Sequence, residues 1–248
     1  MKNWKDYLAP TLLVLILLVI WEVGAFWVNM PFILPAPTGI ASKLWELKTV
    51  LFLEHLPATF LILVIGLAIS MILGVGLAIW MYYSKIVERA LYPIIIASQT
   101  IPMIALAPIF VLWFGYSIWS KVVVTILITF FPIAVNTFDG LRSSNKELKE
   151  LMMTMGASDK DIFLKLDMPS ALPFFYSGLK VAFPLSVIGA AIGEWLGAQA
   201  GLGYFSRRMM TQFDGAGVFA PIVVLSGLGI SLFLLVGIFE KKAFKWRK

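Results

Sequence analysis

Long apolar stretches and short polar intervals alternate along the whole chain. A helix needs about 20 apolar residues to cross a hydrocarbon core. The pattern predicts such spans at 8–28, 56–83, 91–115, 121–139, 174–198 and 218–239. The first follows Lys2 and Lys5, but its apolar part is too long for a signal peptide and no small-residue cleavage site follows, so it is expected to remain as a span. Pro93, Pro102 and Pro108 fall within the third and predict a kinked or interrupted helix, because the carbonyls they free need other partners. Pro184 lies near the middle of the fifth.

The polar intervals have their own signals. Residues 30–55 are amphipathic and proline-marked; Pro35 and Pro37 forbid a regular helix there, while 40–47 can form a short one at the interface. Residues 85–89 read as a tight polar turn, and 199–217 as a polar, glycine-bearing connection. The longest polar-rich interval is 145–178. Within it, 146–155 reads as a short helix, Gly156 as its left-handed stop, and 158–166 as a second helix opened by Ser158 with Asp161 three residues on. Pro169 and Pro173 are expected to bracket a turn into the next span. Two amphipathic helices at a fixed angle make a surface knob, with Met155, Ala157, Ile162, Phe163 and Leu166 as apolar contacts for a docking partner.

Composition agrees with a multispanning helical membrane protein: 60% of residues are hydrophobic and only 14% charged. The chain has no cysteine and one histidine, His55, which excludes disulfides and thiolate or multi-histidine metal sites. Its net charge of +6 does not point to nucleic acid, because the basic residues sit between spans. With both termini inside, the inner segments hold Lys2, Lys5, Lys85, Arg89, Arg142, Lys146, Lys149, Lys160, Lys165 and the closing Lys241, Lys242, Lys245, Arg247 and Lys248. The outer segments hold only Lys43, Lys48, Lys121, Arg207 and Arg208, and Lys180 lies near the inner end of the fifth span. This positive-inside bias places 145–178 in the cytoplasm.

No G-x-x-x-x-G-K-[ST] phosphate loop occurs, and Gly215, Gly217 and Ala220 fit G-x-G-x-x-A without a preceding strand. There is no H-E-x-x-H and no G-x-S-x-G, so no catalytic group, metal site or cofactor site is visible. Transport is the natural work of such a chain, with its energy supplied elsewhere. Glu194 lies among Gly189, Gly193 and Gly197 in the outer third of the fifth span. It is expected to serve the outer part of the pathway, the alternative being that it ties two helices together. The glycine stripe is either a contact within the chain or one between subunits. Glu22 is expected to snorkel to an outer end. Gln99 and Trp195 are further pathway candidates, and with Phe183 would suit a neutral heterocycle better than an anion.

The spacing of Glu150, Gly156, Ala157, Ser158, Phe163, Pro169, Pro173 and Gly178 resembles the ATPase-coupling loop of ABC-importer permeases. Leu151 and Met152 stand where two alanines usually follow the glutamate, making the first helix more apolar. LPAPTGIASKLW, SQTIPMIALAPIFVLWFGYS and GEWLGAQAGLGYF are similar to the nitrate/sulfonate/taurine branch. The last two look most similar to permeases for hydroxymethylpyrimidine-type thiamine precursors, and the likeness covers nearly the whole chain. The resemblance implies an all-α polytopic bundle of about six transmembrane helices, type I ABC-importer-like. It further implies one permease domain over 1–248, with a cytoplasmic coupling loop at 141–172. The partners implied are a second copy of the chain, two ATPase subunits, an external binding protein and membrane lipid; the location is a bacterial cell membrane with both termini cytoplasmic. Alternative readings are a sulfonate, taurine or nitrate permease, a membrane-embedded enzyme, or an ion-driven transporter, which would call for inverted repeats and paired intramembrane acids.

Overall fold

A computed structural model describes the backbone of residues 5–244 and the side chains of 8–244. Lys2, Lys245, Arg247 and Lys248 of the charge pattern, and the Lys5 side chain, lie outside the described residues. In hydrocarbon each backbone N–H must find a carbonyl within its own segment, so the apolar runs fold as helices. They are α1 (Lys5–Val28), α2 (Pro37–Glu46), α3 (Lys48–Tyr83), α4 (Lys85–Ser98), α5 (Met103–Phe114) and α6 (Ile118–Arg142). There follow α7 (Lys146–Thr154), α8 (Asp159–Gly197), α9 (Leu202–Thr211) and α10 (Gly215–Ala243). Among the described residues, five helices are long and apolar enough to cross a membrane, and a sixth is reached if α4 and α5, bent by 102° at their break, count as one span.

The bend answers the proline pattern with one break. Pro93 and Pro108 stay inside helices, and the chain turns at 99–102, where Pro102 precedes α5 in extended backbone. Three expected intervals are helical instead. There is no turn at 85–89: the extended Ser84 accepts the Val87 N–H with its side chain and α4 starts at once. Pro169 and Pro173 bracket no turn: a proline's fixed φ is compatible with a helix, and α8 runs through both despite the hydrogen bond each removes. The connection at 199–217 contains α9, whose Leu202, Phe205 and Met209 are buried.

Helix α6 is the centre, with α3 on one side and α8 on the other. Ser70 of α3 meets Thr129 of α6 hydroxyl to hydroxyl at 2.6 Å. On the other side a Cβ at Gly189 would lie 2.9 Å from the Thr125 Cα, and one at Gly193 would lie 2.8 Å from the Lys121 Cα. The glycine stripe is therefore a backbone-to-backbone contact within one chain. Helix α1 is peripheral: only 6% of its apolar window is buried. Both long helices carry one π-helical turn, Leu51–His55 in α3 and Phe163–Asp167 in α8, and each turn ends on a buried polar residue.

Candidate transport pathway and coupling surface

A cavity of about 620 Å³ lies between α5, α8 and α10 and is closed on one side by α9. Ile104 and Pro108 come from α5, Pro184 and Trp195 from α8, Ser206 from α9 and Ser226 from α10. No lysine, arginine, aspartate or glutamate lines it. Of the expected pathway residues, Trp195 is in the wall; Gln99 sits exposed at the α4–α5 bend and Phe183 packs into the core, both away from the cavity. The Arg207 guanidinium of α9 donates to the Trp195 carbonyl and so covers the end of α8.

Glu194 does not face the cavity. Its side chain is fully buried, and its Oε2 accepts the Gly203 N–H at 2.7 Å. The two preceding N–H groups of the same helix start are held in the same way. Gly201 donates to the His55 Nδ1 at 3.1 Å and Leu202 to the Thr59 Oγ1 at 2.9 Å. The first N–H groups of a helix have no partner within it. Here α3 and α8 supply three side chains for three successive donors. His55 accepts at Nδ1, which fixes its proton on Nε2. Gly201 has φ of +121°, and a Cβ there would lie 2.3 Å from the Glu194 Cδ. Sequence reasoning missed His55 and Thr59; the signal was the GLG start of an amphipathic helix with no capping side chain of its own.

The polar interval folds into α7 and the first turns of α8. Gly156 has φ of +82°; its N–H bonds the Met153 carbonyl at 3.0 Å, and that of Ala157 bonds Met152 at 2.9 Å, a Schellman ending. The Ser158 hydroxyl caps α8 by accepting the Asp161 N–H at 3.2 Å. The apolar contacts differ from the expectation. Ile162 is 1% exposed and turned inward, and Phe163 stacks on Tyr82 and Tyr83 with ring centroids at 5.6 and 5.3 Å. The outward apolar face is Leu148, Leu151, Met155 and Leu164, with Met155 78% exposed. Glu150 is exposed and pairs with no described residue, and Pro169 is half-buried in α8. Lys149 of α7 forms an ion pair with the buried Asp167 at 3.3 Å. The Tyr82 hydroxyl, and then the Asp167 carboxylate, hold its ammonium above the usual lysine range.

Residues 66–245 match the family described as binding-protein-dependent transport system inner membrane component. The chain belongs to this family. It is a multispanning ABC-transport permease, a transporter subunit and not an enzyme, and the family works with an ATPase and a substrate-binding protein. The formylaminopyrimidine transport permease protein ThiX of Halalkalibacterium halodurans is 58% identical over 248 residues, 100% of this chain and 99% of that protein. The riboflavin transport system permease protein RibX of Chloroflexus aurantiacus is 34% identical over 98% of this chain and 91% of its own length. The putative aliphatic sulfonates permease SsuC of Bacillus subtilis is 30% identical, over 95% and 86%. The polar interval is the segment that resembles the coupling loop of such permeases.

Proposed function

We propose that this permease moves an uncharged heteroaromatic precursor of thiamine, of the formylaminopyrimidine type, inward across a bacterial cell membrane. The carrying observation is the 58% identity, end to end, with the ThiX permease. The cavity supports it: Trp195 offers a flat apolar face, and the exposed Ser226 hydroxyl bonds to no other described residue. A ring carrying amino and amide groups would fit such walls. A sulfonate or nitrate would lose its water there with no cation to receive it.

In this reading the chain works as a homodimer. The cavity opens on the side of a single bundle, so a second copy facing it would close a passage. Residues 141–172 would dock one ATPase per chain in the cytoplasm, with Glu150, Gly156, Ala157 and Ser158 shaping the knob, Phe163 bracing it and Pro169 carrying it into α8. The binding protein would meet the opposite face, around α2 and α9, and both termini would be cytoplasmic, in keeping with the lysine and arginine pattern. The test is uptake of labelled formylaminopyrimidine by cells expressing the permease with its ATPase and binding protein. Uptake that unlabelled pyrimidine blocks and excess taurine, alkanesulfonate or nitrate leaves intact supports the assignment; blockade by the anions contradicts it.

A further inference from the structure

The resemblance assigns no role to Asp167, yet its carboxylate is fully buried where the loop segment becomes a membrane span. Its Oδ2 accepts the hydroxyl of Tyr82, in the last turn of α3. The same oxygen faces Lys149 on α7 at 3.3 Å, and the Lys149 Nζ donates to the Tyr82 Oη at 3.0 Å. One compact triad thus draws on α3, α7 and α8. Helix α7 buries no side chain of its own, and the Lys149–Asp167 pair is the ion pair that fastens it to the bundle among the described residues. A buried carboxylate is costly unless paired, and packing alone does not call for one here.

The far ends of the same two spans are joined as well. His55 and Thr59 of α3 and Glu194 of α8 hold neighbouring N–H groups of α9. Helices α3 and α8 therefore flank α6 and are tied together at both ends by buried polar contacts, one at the cavity end and one at the loop end. A push on α7 reaches this frame through Lys149.

We propose that Lys149, Asp167 and Tyr82 are the positioning residues through which displacement of α7 by the ATPase becomes joint movement of α3 and α8. The proposal rests on the reading of 141–172 as the ATPase-docking loop.

The experiment uses the purified permease with its ATPase and loaded binding protein in proteoliposomes, and reads molecules imported per ATP hydrolysed. Lys149→Met is expected to lower that ratio about tenfold, the scale of a typical coupling energy, with permease and ATPase recovered together; Lys149→Arg restores most of it. Because Lys149→Met leaves a buried charge unpaired, the neutral pair Lys149→Met with Asp167→Asn is made alongside. It should assemble in wild-type yield and still be uncoupled. A wild-type ratio in the neutral pair, or a loss of uptake that only tracks lost protein, overturns the proposal. Failure of the docking reading shows separately, as full ATPase recovery with Leu151→Asp.

Discussion

Glu22, Glu194 and Asp214 each accept a backbone N–H at the start of a helix: at Thr38 of α2, Gly203 of α9 and Gly217 of α10. Glu22, expected to snorkel, instead takes both the Thr38 N–H and its hydroxyl. The pathway role expected of Glu194 and its structural alternative predict different mutants, and the cap geometry favours the structural one, against the expectation. Glu194→Gln keeps an acceptor for Gly203 and should leave uptake near wild type. Glu194→Ala strands that N–H, at about 1–3 kcal/mol, and should lower the midpoint of thermal unfolding in detergent by several degrees. Equal loss of uptake in both variants, with unchanged unfolding, would contradict this. Gly156 and Gly201, both at positive φ, give a second contrast. Gly156 has open space where a Cβ would go, so Gly156→Ala should cost about 1 kcal/mol of backbone strain alone. At Gly201 the same change also drives a methyl into Glu194, so Gly201→Ala should sharply reduce the yield of folded protein. Expression and thermal unfolding compared side by side check the pair.

At the level of elements, α7 and the start of α8 present Leu151 and Met155 outward while Phe163 braces them from behind. Leu151→Asp should abolish ATPase co-purification with normal permease abundance, since an unpaired carboxylate buried in an apolar contact is strongly unfavourable. Phe163→Ala should instead loosen the knob, losing about 1 kcal/mol for each tyrosine contact, and show as faster proteolysis of the loop. Equal ATPase recovery in both would mean the outward face has been misread. The spans were legible in the sequence because about 20 apolar residues leave little choice but a helix. The Gly156 stop and Ser158 cap were legible because their signals are local. Helix α9 was not, since two of its three capping groups, His55 and Thr59, are more than a hundred residues away in the sequence. The π-turns escaped for a related reason: Leu51–His55 and Phe163–Asp167 have no composition of their own and are settled by where His55 and Asp167 must point. Pro169 and Pro173 misled because a proline marks a turn only where the chain is free to leave the helix.

For the whole molecule, the proposed homodimer would set a second copy against the cavity's open side, where Ile188 and Ile230 are exposed. The absence of cysteine makes this simple to test. Ile230→Cys alone should give an oxidant-induced dimer in membranes, whereas Ile72→Cys on the outer face of α3 should not; the reverse pattern would place the subunit contact elsewhere. The central claim is that this chain is the membrane passage for a pyrimidine, driven by a partner's ATP hydrolysis. Its most direct test is accumulation of labelled formylaminopyrimidine inside proteoliposomes holding the permease and its ATPase, with binding protein outside and ATP within. Accumulation that requires ATP and the binding protein, and is lost with Leu151→Asp, is the predicted result; accumulation without ATP, or of sulfonate in place of pyrimidine, would contradict it.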